Sequence, residues 1–188
     1  NLHRGGLVRR GGRRVPVPAA WKTRRVDFGR GPRPAVTIPW GDVSTAFHST
    51  GIPDIEVYMA APASLAFAMR VSRVLGPLLA SGPVQRFLRA RIQASPAGPP
   101  AEARARGRCH LWGEVTDGQG GRAESRLETP EGYTHTVDAA LALVERVAAG
   151  AVTPGFRPPS LALGPDFVLG LPGVVRTWAP RGQTPILR

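Results

Sequence analysis

The chain has 188 residues and a formal net charge of +12, and its 42% hydrophobic residues suffice for a packed core. Its single cysteine, Cys109, excludes an internal disulfide and any Cys-rich zinc site, and agrees with a reducing cytoplasm. Lys22 is the only lysine, so the positive excess is arginine and reads as coding bias at least as strongly as a selected binding face.

In chain order, Leu7 to Arg10 and Arg13 to Val17 flank Gly11 and Gly12, a two-residue turn whose positions both accept positive φ, which predicts a basic hairpin. Trp21 to Phe28 and Ala35 to Ile38 predict further strands around the turn cluster GRGPRP. A short helix capped by Gly41 or Asp42 runs to Ser49 and leads through Gly51 and Pro53 to a strand over Ile55 to Met59. Pro62 to Leu79 carries Phe67, Val71, Val74, Leu75 and Leu78 on one stripe, with a break expected at Gly76 and Pro77. Arg70 and Arg73 would each cost about 3 kcal/mol at a bilayer centre, so this segment does not span a membrane. With the second amphipathic piece, Val84 to Gln93, it fits either an interfacial pair on anionic lipid or, more simply, a solvated arginine face.

After the SPAGPP linker, Arg104, Arg106, Arg108, His110, Trp112 and Glu114 alternate with Ala105, Gly107, Cys109, Leu111 and Val115. A turn at Asp117 to Gly121 returns the chain into Arg122 to Thr129, predicting an antiparallel hairpin with one charged face. Tyr133 to Ala149 is the strongest helix pattern, with Gly150 as its stop. The Pro/Gly-rich tail holds a helical turn near Pro165 to Leu169 and a last strand near Val174 to Trp178. These elements predict an α+β fold with a mixed, largely antiparallel sheet and helices packed on one face. The expected divisions are a basic hairpin and strand over 1–34, an α+β body over 35–152, and a tail over 153–188.

Trp40, Asp42, His48, Ser49 and Thr50 concentrate polar and aromatic groups on one scaffolded connection, where ligands are commonly bound. His48 is the candidate proton donor, set against a hydrogen-bonded structural histidine. His3, His48, His110 and His135 have no His, Cys or carboxylate partner at metal-ligand spacing, so no metal is expected. No G-x-S-x-G elbow and no G-x-G-x-x-G or P-loop follows a strand, so this chain alone is not expected to bind a dinucleotide. Two Arg-Gly-Gly triplets, at Arg4 and Arg10, are too few for RNA-binding repeats, and no nucleic-acid partner is expected. The sequence from Asn1 shows no charged-then-apolar leader, which favours a cytoplasmic location and leaves open that it is a piece of a longer protein.

Together the segments IPWGDVSTAFHSTGIPDIEVYM, TPEGYTHTVDAALALVERVAAG and PSLALGPDFVLGLPGV resemble the C-terminal half of saccharopine-dehydrogenase-like proteins, especially the trans-acting enoyl reductase group. The resemblance spans approximately Leu7 to Val174 and rests on the order and spacing of segments. It implies a two-domain oxidoreductase in which an N-terminal Rossmann domain, lacking here, holds NAD(P)H. This chain would then supply substrate binding and homodimerisation, be inactive alone, and bind no cofactor by itself. A lipid-like enoyl substrate is one implied class. Trp40 would form an apolar wall of the cleft, with Asp42, His48, Ser49 and Thr50 as polar contacts. The alternative is a non-catalytic domain that binds anionic lipid or a protein partner.

Overall fold

The structure is a computed structural model that describes residues 5–75, 79, 81–94 and 98–178. The fold is α+β with antiparallel sheets, but the strands form three small sheets where one was expected. Two compact units are present, one of Asn1–Val26 with Arg33–Gly98 and the other of Asp27–Pro32 with Pro99–Arg188.

In the first unit, β1 (Gly6–Arg10) and β2 (Arg13–Val17) pair antiparallel through Gly11 and Gly12. Both glycines have positive φ, 53° and 76°, the twist a two-residue hairpin requires. The second sheet has the order β3 (Thr23–Asp27), β4 (Pro32–Thr37) and β5 (Tyr58–Ala60). The strand expected over Ile55 to Met59 therefore starts late. Ile55 instead exchanges backbone hydrogen bonds with Arg9 at 2.9 and 3.1 Å, because Pro53 and the preceding turn bring that segment along the edge of β1 first.

Helix α1 (Asp42–Thr50) has Gly41 as its N-cap and ends at Gly51, whose φ of 69° is the left-handed stop. Asp42 sits in the first turn and is not the cap. Helix α2 (Ala63–Val74) turns Ala66, Met69 and Ser72 inward, and Ala66 joins a core of Ala20, Val36, Ile38 and Ala61. The break expected at Gly76 and Pro77 lies outside the described residues, as do His3 and Arg4. Helix α3 (Gly82–Gln93) follows, with Pro83 in its first turn, where a missing N–H costs nothing.

In the second unit, Ala101–Arg106 forms helix α4 and not the start of a strand. Alternating Ala and Arg satisfies either period, and Ala and Arg are strong helix formers. Pro100 starts the helix, Glu102 lies in its first turn, Arg104 and Arg106 lie in its last, and Gly107 donates to the Ala103 carbonyl at 2.9 Å. The hairpin of β6 (Arg108–Thr116) and β7 (Arg122–Pro130) is long and in unbroken register, and β8 (Val175–Trp178) adds to β7. The Asp117 carboxylate shapes its turn by accepting from Gln119 and Gly121 amides at 2.9 and 2.6 Å.

Helix α5 (Gly132–Ala148) is capped by the Glu131 carboxylate, which accepts from the Tyr133 amide at 2.9 Å and the Thr134 amide at 3.4 Å. Gly150, at φ 72°, ends it as the sequence predicts. The tail forms a short helix α6 (Pro159–Leu163), which the sequence reading missed, and a 3-10 turn over Phe167–Gly170. Its first turn begins with Pro158 and Pro159, which read as loop residues and also suit a helix start.

Candidate functional site

The connection singled out in sequence is helix α1 and its approach. Arg9, only 6% exposed, fixes this helix from β1. Its Nε donates to the Val43 carbonyl at 2.9 Å, one Nη donates to the Gly12 carbonyl at 2.6 Å, and the guanidinium lies 4.1 Å from the centre of the Phe47 ring. Trp40 is exposed on the approach, Asp42 is exposed in the first turn, and His48 is exposed and meets the Phe47 ring edge-on.

The hydroxyls of this segment turn back on their own helix. Ser49 Oγ donates to the Thr45 carbonyl at 3.3 Å and Thr50 Oγ1 donates to the Ala46 carbonyl at 2.7 Å. Asp42 and His48 are six residues apart and His48 and Thr50 two apart, so in each pair the residues leave the helix on different faces. The structure thus places Asp42, His48, Ser49 and Thr50 on one helix, with Trp40 just before it, and spreads the helical four over more than one face.

Convergence occurs instead on β1, at the start of β3 and the two residues before it, and on the segment leading into β5. Glu56, with 14% of its side chain exposed, accepts hydrogen bonds from Arg10, from Lys22 Nζ at 2.6 Å and from the Tyr58 hydroxyl. Lys22 Nζ lies 4.6 Å and the Arg10 guanidinium 5.5 Å from the Trp21 ring, while Arg24 stands 5.7 Å over Tyr58. Burial first, then the charges of Arg10 and Arg24, lower the Lys22 pKa from its usual 10.5.

Chemically this cluster combines cationic hydrogen-bond donors with an aromatic wall, a donor set suited to an anion. Among the described residues Glu56 meets the Arg10 guanidinium and the Lys22 ammonium, and an ammonium has three donors of which the Glu56 contact uses one. A carboxylate or phosphate would find hydrogen bonds from Lys22 beside the half-exposed Trp21 ring. Sequence reasoning missed it because its members lie 34 and 46 residues from Glu56. The available signal was Lys22, the sole lysine of an arginine-rich chain.

In the second unit the charged face expected of the β6–β7 hairpin is present, and its charges pair with one another. Arg104 and Arg106 belong to α4. Glu124 is only 8% exposed and lies within reach of Arg122 at 3.2 Å and Arg126 at 2.7 Å, and Arg122 also contacts Glu114. Arg126 Nε donates to the Asp27 carbonyl at 2.8 Å. These arginines are engaged with carboxylates, while the opposite face exposes Leu111 and Val115.

Among the described residues no group of three or more His, Cys, Asp or Glu side chains converges as a metal site. Cys109 is free and half-buried, and His110 Nδ1 lies 3.6 Å from Glu128. Asp42 puts a carboxylate in the first turn of α1, and its charge opposes a pyrophosphate at that helix end. No protein-family model matches the chain, and no curated protein matches it.

Proposed function

We propose that this chain is the substrate-binding and dimerisation domain of a saccharopine-dehydrogenase-like, NAD(P)H-dependent oxidoreductase of the cytoplasm, an enoyl reductase acting on a lipid-like substrate. A Rossmann domain, joined to it or separate, supplies the nicotinamide. The observation that carries the reading is helix α5, whose apolar residues Tyr133, Val137, Leu141, Val144 and Val147 are all more than half exposed. A helix that turns its apolar stripe outward supports a role completed by another domain or a second copy.

In this role Trp40 is an apolar wall and Asp42, Ser49 and Thr50 are polar substrate contacts, with His48 the proton donor. Exposure of Trp40, Asp42 and His48 supports access. The Lys22–Glu56 cluster supports an acidic group on the substrate.

The test is intact mass of the protein from its native host, followed by NADPH oxidation with enoyl thioesters. A mass about twice 20.0 kDa, or a copurifying nucleotide-binding subunit, with turnover lowered at least about tenfold by His48→Ala, is expected. A native protein of 20.0 kDa with neither subunit nor turnover overturns the proposal.

A further inference from the structure

Helices α2 and α3 carry an apolar and cationic surface that the oxidoreductase reading does not use. Helix α2 has two apolar faces. Ala66, Met69 and Ser72 turn toward the core, and on the opposite side Phe67, Val71 and Val74 recur at helical spacing, with Phe67 67% and Val74 81% exposed. Helix α3 has no buried residue and exposes Phe87 at 65% and Ile92 at 71%. Its Arg86, Arg89 and Arg91 are exposed as well.

The charge around these faces has one sign. Between Glu56 and Glu102 the chain has no Asp or Glu, and its charged residues are Arg70, Arg73, Arg86, Arg89 and Arg91. We infer that α2 and α3 form a peripheral docking surface for an anionic phospholipid membrane. Phe67, Val74, Phe87 and Ile92 enter the acyl boundary and Arg86 and Arg89 meet lipid phosphates.

Charge and chemistry select this occupant over others. A second copy docked face to face would set two arginine-bearing helices with no Asp or Glu of their own against themselves, a like-charge contact. A nucleic acid would satisfy the arginines but gain nothing from Val71, Val74 and Ile92, which neither stack on bases nor bond phosphates. An anionic bilayer takes both components, since aliphatic side chains partition below the headgroups while arginine stems extend back to the phosphates. No helix among the described residues is long and apolar enough to cross a membrane, so the contact is interfacial.

The experiment is cosedimentation of the full chain with phosphatidylcholine vesicles, with and without phosphatidylglycerol, read alongside light scattering. Bound fraction is expected to rise at least about tenfold with the anionic lipid and to fall steeply as salt is raised. Arg86→Glu with Arg89→Glu abolishes the anionic preference. Phe67→Ser with Val74→Ser weakens binding to both vesicle types by about tenfold or more without changing the circular dichroism, since both residues are exposed.

Equal binding to neutral and anionic vesicles, or none to either, overturns the inference. So does unaltered vesicle binding by the Phe67/Val74 variant, or loss of self-association in that variant, which would make a second copy the occupant. Hydride transfer is not read in any arm, so failure here leaves the oxidoreductase proposal standing.

Discussion

Lys22 shows how a single residue reports on a site assembled from distant segments. Glu56, 2.6 Å away, favours the ammonium, whereas burial and the guanidiniums of Arg10 and Arg24 oppose it, and the opposing influences prevail. The folded state therefore holds this proton less tightly than the unfolded chain. Both states are protonated well below the folded pKa, and there the folded state carries a constant penalty. Between the folded pKa and 10.5 the unfolded state binds more proton, so stability rises with pH and the penalty is relieved. Because the chain has no other lysine, reductive methylation with a carbon-13 label gives one ε-amine signal. Its NMR midpoint is expected below 10.5, moved up by Arg24→Gln and further down by Glu56→Gln. A midpoint at or above 10.5 would show that the carboxylate dominates.

At the scale of elements, the junction between α4 and β6 rests on Gly107. Its φ of −66° is available to any residue, so the constraint is space. A Cβ there would lie 2.9 Å from the Ala103 carbonyl oxygen and equally close to Cβ and Cγ of Glu131, the residue whose carboxylate caps α5. Gly107→Ala must displace either the last turn of α4 or that cap, at a cost of about 1–3 kcal/mol. Urea unfolding measures it, with Gly113→Ala as the control because its Cβ would meet nothing within 4 Å. Equal midpoints for the two variants would refute the packing argument. The same junction shows what local pattern can and cannot convey. The Gly11–Gly12 hairpin and the stop at Gly150 were legible because glycine with positive φ is a local requirement. AEARAR was not, because residues of small and long unbranched side chains fit both periods, and Pro100 before and Gly107 after decide it. The Lys22–Glu56 cluster was illegible for another reason, since it depends on which distant segments meet.

For the whole molecule, the distribution of apolar side chains is the physical fact to explain. The largest fully buried side chains are Val8, Val36, Val43 and Thr129, whereas Phe67, Phe87, Leu141 and Trp178 lie mostly in water. Apolar area left exposed forgoes about 25 cal/mol per Å², so such a surface favours association. Its two helical parts differ in charge, and that difference underlies the separate roles proposed for them. On α5, Tyr133, Val137, Ala140, Val144 and Val147 recur at intervals of four and three, the seam of a helix pair, and no charged residue interrupts it. Thr134, His135, Ala139, Ala142 and Leu143 form the other, half-buried side. Self-pairing through α5 meets no like charge, in contrast to α2 and α3. Val137→Glu with Val144→Glu puts two carboxylates into that seam in each copy, and light scattering after gel filtration should then move from about twice 20.0 kDa to the single-chain value. The unsubstituted dimer should persist at about 1 M salt, where surface charge is screened but apolar association is not. Both residues are more than half exposed, so the variant should keep its helix content and its binding to anionic vesicles. A variant that remains dimeric would place the seam elsewhere, and an unsubstituted chain already at 20.0 kDa would leave α5 to a different domain and remove self-pairing from its role.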